Sequence, residues 1–433
     1  MDAPPTPSDA SPPRETHTRD SRTGDSLSRR SLLRTGGLLA GAALTPSLLG
    51  AVAQDTVPTA APLPDPTRTP GAPSDSLGTR SPFENPRLTP VGVTGGSSWT
   101  PHHLLHGTIT PADLHFQRHH NGIPAIDPAR HTVTIHGLVE RPLEFTLEEL
   151  KRFPSVTRTC FIECSGNGGR AWNNPKPEMS PQVVDGLTSN SEWTGVAVST
   201  LLRAVGAKPN GTWVLAEGGD AAVMTRSVPT SKMLDDALLV YAQNGEALRP
   251  ANGYPVRLLL PGWEGNMCVK WLRRLEVMDQ PAMTREETSK YTDPLPGGRA
   301  RQFSFVMDVK SLITSPSYPG TLPGRGWHAI RGLAWSGRGP ITRVDVSTDG
   351  GRTWHAATLP NGAPPLAHTR FEYLWQWDGT PARLLSRAVD QTGAVQPTAD
   401  EFRRVRGDAP GYHYTAVRAW DVAADGTVTF GGG

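Results

Sequence analysis

The sequence predicts an α+β protein in two folded parts: a mixed α/β unit over residues 100–294, then an all-β immunoglobulin-like sandwich over residues 295–433. Three observations carry that expectation. At 433 residues the chain exceeds one ordinary domain. Its middle mixes helix and strand signals, whereas the part beyond Asp293 holds short strands separated by turns and almost no helix. Its 45 Gly and 42 Pro, beside only 36% hydrophobic and 19% charged residues, point to many turns and long connections.

Composition also removes several function classes. Lys plus Arg is 43 against 41 Asp plus Glu, a net charge of +2 without the basic excess of a nucleic-acid binder. Three cysteines are too few for a disulfide scaffold or a four-cysteine zinc site, and none stands in a C-x-x-C-H haem attachment. No apolar run reaches the ~18 residues of a spanning helix, so no membrane span is expected.

In chain order, Ser28-Arg29-Arg30-Ser31-Leu32-Leu33-Arg34 opens a modestly apolar stretch that closes on Ala51-Val52-Ala53, the small-x-small pattern of a cleavage site before Gln54. Residues 1–53 therefore resemble a twin-arginine export signal and imply a periplasmic or otherwise exported protein. Residues 54–99, rich in Pro, Thr, Asp and Ser, read as a disordered linker. Thr146-Leu147-Glu148-Glu149 is a capping box that starts a helix, and Pro154 stops it. A strand dense in β-branched and apolar residues runs from Val156 to Cys164 and breaks at Ser165-Gly166-Asn167-Gly168-Gly169. A second helix, Val198 to Val205, ends at Gly206 with Pro209 beyond it. Asn244-Gly245 signals a hairpin, and Tyr254 to Leu260 and Val269 to Val277 are further strands. In the sandwich, Val344, Val346 and Thr348 alternate with polar residues before Asp349-Gly350-Gly351 turns the chain into Thr353-Trp354.

Cys164 is the first candidate for chemistry. A thiol at a strand end facing a Gly-rich loop can serve as nucleophile or soft metal ligand, and from position alone it reads equally as an inert core cysteine. Cys160, on the same strand face, and Cys268 read as core. Six histidines lie between positions 102 and 120, but the i,i+4 pairs His102/His106 and His115/His119 sit on no clear helix and form no H-E-x-x-H. Glu163, Asp185 and Glu192 make no convincing acid/base pair by spacing.

Four segments, read together, carry a resemblance. They are Phe161-Ile162-Glu163-Cys164-Ser165-Gly166-Asn167; Asn252-Gly253-Tyr254-Pro255-Val256-Arg257 through Gly262, continued by Val269-Lys270-Trp271-Leu272; Leu114-His115-Phe116-Gln117-Arg118-His119-His120; and Val346-Ser347-Thr348-Asp349-Gly350-Gly351-Arg352-Thr353-Trp354. In order and spacing they resemble the sulfite oxidase family of molybdopterin oxidoreductases. The His-rich opening, running into Gly122-Ile123-Pro124-Ala125-Ile126-Asp127-Pro128, is most similar to the molybdenum subunits of its sulfane dehydrogenase branch.

The resemblance implies a molybdenum–molybdopterin cofactor with Cys164 as its one protein ligand and no haem on this chain. It implies that Arg257, Lys270 and His120 hold the pterin, that Arg118 receives a sulfur oxyanion, and that Tyr291 stands in the active site. The catalytic set is thus Cys164, Arg118 and Tyr291. The implied reaction is oxidation of sulfane sulfur, carrier-bound or free, by oxo transfer, with electrons leaving to a cytochrome c subunit. A homodimer through the C-terminal domain and a sulfur-carrier protein are the implied partners. A free sulfite dehydrogenase with the same cofactor is the first alternative, and a metal-free secreted Ig-like binding protein the second. Animal-type members carry arginines where this chain has Gly168 and Gly169, so the expected pocket is wider and less positive than theirs.

Overall fold

The computed structural model describes residues 73–74 and 76–433. The expected export signal over residues 1–53, and residues 54–72 and 75 of the expected linker, lie outside the described residues. The linker expected over 54–99 differs at its C-terminal end, where Thr89–Val91 and Ser97–Trp99 pair with each other and then with Gln117–Arg118 in a three-stranded sheet. Trp99 explains the difference: it is buried, and the indole it anchors draws these residues onto the folded body.

Two five-stranded sheets build the α/β unit. One runs in the order Leu143–Thr146, Thr132–Gly137, Leu272–Met278, Trp213–Gly218, Thr225–Pro229, with a single parallel pair between the second and third. The other joins Glu246–Ala247, Leu238–Gln243, Thr188–Ala197 and Ser155–Glu163, with Arg257–Leu259 also pairing Leu238–Gln243. The helix Leu147–Arg152 starts on the complete Thr146/Glu149 capping box, and Val198–Val205 ends at Gly206 in the left-handed region. Asn244 and Gly245 both take positive φ at the hairpin tip, as a two-residue primed turn demands. The strands expected at 254–260 and 269–277 are shorter or shifted, at Arg257–Leu259 and Leu272–Met278.

Beyond the hairpin Asp293–Leu295/Arg299–Arg301, eight antiparallel strands form two sheets. Lys310–Ser315, Gly326–Trp335 and Thr369–Trp377 make one; His355–Ala356, Ile341–Ser347, Ala382–Asp390, Ala419–Val422 and Val428–Gly432 make the other. The part expected to be nearly helix-free does contain Ala399–Arg406, again opened by a capping box, Thr398/Glu401. No helix among the described residues is long and apolar enough to cross a membrane.

The strand Ser155–Glu163 joins the two parts, and its period of two does the joining. Cys160 and Ile162 turn into the α/β core, while Phe161 packs in the sandwich core with Trp335 and Ile330. Glu163 follows Phe161 onto that second face. It accepts from Trp335 Nε1 at 2.6 Å and from Lys310 Nζ at 3.2 Å, both contributed by the sandwich. Lys310 also meets Asp185 at 2.5 Å, and Asp185 lies 3.6 Å from Arg418. All five of these side chains are buried.

Candidate active site

The strand end at Glu163 delivers the next residue, Cys164, into a partly enclosed cavity. Backbone hydrogen bonds fix the loop that follows: Cys164 donates to the Leu187 carbonyl, and Asn167 donates to the Cys164 carbonyl, each at 2.9 Å. The Asn167 side chain closes the same loop, donating to Glu163 and accepting from Leu187 N, again at 2.9 Å each. Burial pushes the Cys164 thiol pKa up, opposed by a Gly166 backbone hydrogen bond and the Arg118 charge. A bound cation reverses that balance, because a coordinating thiol gives up its proton.

The other five expected site residues line the same cavity: Arg118, His120, Arg257, Lys270 and Tyr291. Arg118 ends the short strand Gln117–Arg118 and is held by the His119 carbonyl. Arg257 is buried, donating to the carbonyls of Asn252 at 2.9 Å and Cys268 at 3.0 Å. Its Nε has no protein partner. Lys270 donates to Ala251 O and meets His119 Nδ1, both at 2.9 Å, with its ammonium 4.2 Å from the Trp271 ring centroid. Desolvation holds the Lys270 pKa well below the usual lysine value, helped by the neighbouring Arg257 charge. Burial likewise lowers His119 to about 3 and His120 to about 4, so both imidazoles are neutral at pH 7. His120 Nε2 and the Tyr291 hydroxyl are 2.8 Å apart. Burial raises the Tyr291 phenol above its ordinary value, so it keeps its proton and donates it whenever Nε2 is the bare nitrogen.

Several lining residues escaped sequence reasoning. Asp220 follows the Gly218-Gly219 break between two strands, a turn signal that marks it in retrospect. It is the one carboxylate on a wall that carries Arg118, Arg257 and Lys270. Asn266 donates to Ser165 Oγ at 3.1 Å, and its Oδ1 is buried without a partner. His115, also lining, is held neutral by burial at a pKa of about 3, and its Nε2 is unpartnered.

One expectation is corrected. Gly168 and Gly169 do not line the cavity. A Cβ at Gly169 would stand 2.8 Å from the Tyr414 ring, and one at Gly168 would stand 2.6 Å from Arg418. Arg170 turns outward, with its guanidinium 5.3 Å from the Trp99 ring centroid. The loop therefore brings no cation to the pocket, as expected, but it does not widen the pocket either, because Tyr414 fills the space. The histidines do not gather as one cluster: His102 is buried against His368, and His106 is exposed. Among the described residues no group of three or more His, Cys, Asp or Glu is placed to hold a metal ion.

The donor set fits a molybdenum–pterin group. Three cations with a single opposing carboxylate suit an anionic cofactor, and the unpartnered Arg257 Nε, Asn266 Oδ1 and His115 Nε2 need partners that the protein does not supply. Cys164 is the only thiol beside Cys268 on the lining, and Cys268 is engaged with Leu260.

Comparison with known proteins agrees with this geometry. Residues 120–286 match the family model for the oxidoreductase molybdopterin binding domain, and residues 301–419 match the Mo-co oxidoreductase dimerisation domain. The crystal structure of the sulfane dehydrogenase SoxCD from Paracoccus pantotrophus contains a chain 46% identical to this one. That match covers 85% of this chain and 99% of that chain, with a TM-score of 0.78. Nitrate reductase [NADH] 2 of Phaseolus vulgaris is 33% identical over 63% of this chain and 34% of its own length. Nitrate reductase [NADH] of Ulva prolifera is 32% identical over 68% of this chain and 38% of its own. The chain thus spans little more than a third of these curated relatives.

Proposed function

From the premise that the chain belongs to the sulfite oxidase family of molybdopterin oxidoreductases, we propose that it oxidises sulfane sulfur, carrier-bound or free, and passes the electrons to a cytochrome c. The observation that carries the reading is the convergence of Cys164, Arg118, His120 and Tyr291 on one cavity with Arg257 and Lys270 behind them. The choice of sulfur over nitrate is supported by 46% identity to the sulfane dehydrogenase chain against 32–33% to the nitrate reductases.

When bound, the cofactor supplies two-electron oxygen-atom transfer. Cys164 would be its protein ligand, a soft thiolate for a metal that favours sulfur. Arg257 and Lys270 would hold the pterin's phosphate and polar edge, with His120 as a further contact. Arg118 binds the anionic end of the substrate through charged hydrogen bonds, each contributing roughly 1.5–3 kcal/mol. Tyr291 aims its hydroxyl at the same space, where it keeps its proton and is oriented by a hydrogen bond to the neutral His120 beside it. Oxidising one sulfur with one water releases two protons and two electrons, so a route for the protons to solvent and an outside electron acceptor are both required.

In this reading the chain is exported through the twin-arginine segment, pairs with itself through the C-terminal domain, and meets a cytochrome c subunit and a sulfur-carrier protein. The test is to measure molybdenum in the full chain and assay the loaded protein with a carrier-bound sulfane, with sulfite and with nitrate. Faster cytochrome c reduction with the sulfane supports the proposal. Preference for sulfite would assign a sulfite dehydrogenase, preference for nitrate a reductase, and absence of molybdenum a binding protein.

A further inference from the structure

Arg226, on the strand Thr225–Pro229, is fully buried and lines no part of the cavity. Its protein partners are few for such a place. One terminal nitrogen donates to the Glu286 carbonyl at 3.0 Å, and the other lies 3.9 Å from Glu264, a distance too long for a hydrogen bond. That terminal nitrogen and Nε are both unpartnered. Glu264 is moreover shared, with His413 Nε2 at 2.6 Å on its other oxygen. A guanidinium taken out of water at several kcal/mol is ordinarily better paired than this.

What Arg226 does face is Tyr291. Its guanidinium carbon lies 5.2 Å from the centroid of the phenol ring, within the range of a cation–π contact. Tyr291 needs holding. Its φ of 47° is in the left-handed region, which a bulky aromatic residue adopts only when its surroundings impose it. Its backbone N–H reaches the Tyr412 hydroxyl at 3.3 Å, the Tyr412 ring lies 5.2 Å away, and its own hydroxyl meets His120. Arg226 supplies the remaining side, against the ring face.

We propose that Arg226 is a positioning residue for Tyr291: its guanidinium, buried against the ring face, fixes the phenol so that the hydroxyl stays directed at His120 and the cavity. This rests on the reading of Tyr291 as an active-site residue. The placement adds a fixed positive charge behind the ring, which makes the hydroxyl a stronger donor toward an anionic substrate. The charge acts through the tyrosine and does not touch the substrate.

The experiment uses the molybdenum-loaded full chain carrying Arg226→Met, Arg226→Lys, Tyr291→Leu and the double change Arg226→Met/Tyr291→Leu. A desolvated cation–π contact is worth up to about 2 kcal/mol, so Arg226→Met should lower kcat by about thirtyfold at equal molybdenum content. Arg226→Lys, which keeps a cation over the ring, should recover most of that loss. In the Tyr291→Leu background Arg226→Met should add nothing further, because the partner through which it acts is gone. A readout independent of turnover is the ¹⁹F resonance of 3-fluorotyrosine placed at position 291 in metal-free protein, which should shift with Arg226→Met and return toward its original position with Arg226→Lys. Additive losses in the double variant, or an unmoved ¹⁹F signal, would overturn the proposal. A Tyr291→Leu enzyme with unchanged turnover would instead remove the tyrosine from the active site, and the positioning role with it.

Discussion

Lys310→Met should destabilise the protein and loosen the Cys164 strand, by an amount the geometry bounds. Lys310 is 1% exposed, with Nζ 3.2 Å from Glu163 and 2.5 Å from Asp185. Arg418 completes a set of two cations facing two carboxylates. Methionine matches the lysine stem but leaves one buried carboxylate without a counter-charge, a change that costs about 3–5 kcal/mol. With an unfolding entropy of about 2.1 cal/mol/K per residue over ~350 folded residues, Tm should fall by roughly 4–7 °C. Because Glu163 also accepts from Trp335 and Asn167, and Asn167 ties down the loop carrying Cys164, molybdenum retention should fall with it. Adding Glu163→Gln to Lys310→Met restores neutrality, since Arg418 then faces Asp185 alone, and should recover much of the lost Tm. Calorimetry on the three proteins, with molybdenum per chain measured in parallel, decides the matter. An unchanged Tm in the single variant, or a double variant less stable than the single, would refute the charge-balance argument.

Cys164→Ser should fold with wild-type Tm yet lose turnover, since a hydroxyl poorly replaces a soft thiolate; assay and molybdenum analysis together check it. Gly169→Ala should cost roughly 1–3 kcal/mol by pressing a Cβ to 2.8 Å from the Tyr414 ring, and Gly169→Arg should lower Tm further without adding a cation to the pocket. Stability should fall on acidification. His102 and His115 are buried and held at about 3 against an ordinary 6.5, so the unfolded chain binds protons below about pH 6.5 that the folded chain refuses. The stabilisation is complete above that pH, declines toward about pH 3, and is lower by on the order of 2 kcal/mol per histidine at pH 5; Tm measured across this range gives the sign. Arg29→Lys with Arg30→Lys should retain the protein in the cytoplasm, which fractionation and N-terminal sequencing of the exported form would reveal.

The residues that sequence reasoning found are those whose chemistry leaves a local mark. Cys164 stands where a β-rich run breaks into Gly-rich loop, and Arg257 and Lys270 interrupt apolar runs within recognisable motifs. The capping box at Thr146 and the Asn244-Gly245 turn are equally local and stand where their residue types place them. Lys310 and Arg226 leave no such mark. In Val309-Lys310-Ser311-Leu312 and Thr225-Arg226-Ser227-Val228 each reads as the outward-facing charge of an alternating strand, and only the packing of distant segments turns it inward. Gly168 and Gly169 show the converse failure. A missing side chain suggests open space in one dimension, but in three Tyr414 from the far end of the chain occupies it. The consequence for specificity is that the pocket's charge and its size must be argued separately. Arg170 swings to Trp99, so the wall lacks the cations that this loop carries in animal-type members. The Gly168-Gly169 loop adds no width, because the Tyr414 ring fills the space beside it. If the chain oxidises sulfur as proposed, discrimination among sulfur anions falls to Arg118 and Tyr291 on the cavity wall, and the buried guanidinium behind Tyr291 then bears on substrate choice although it never meets the substrate.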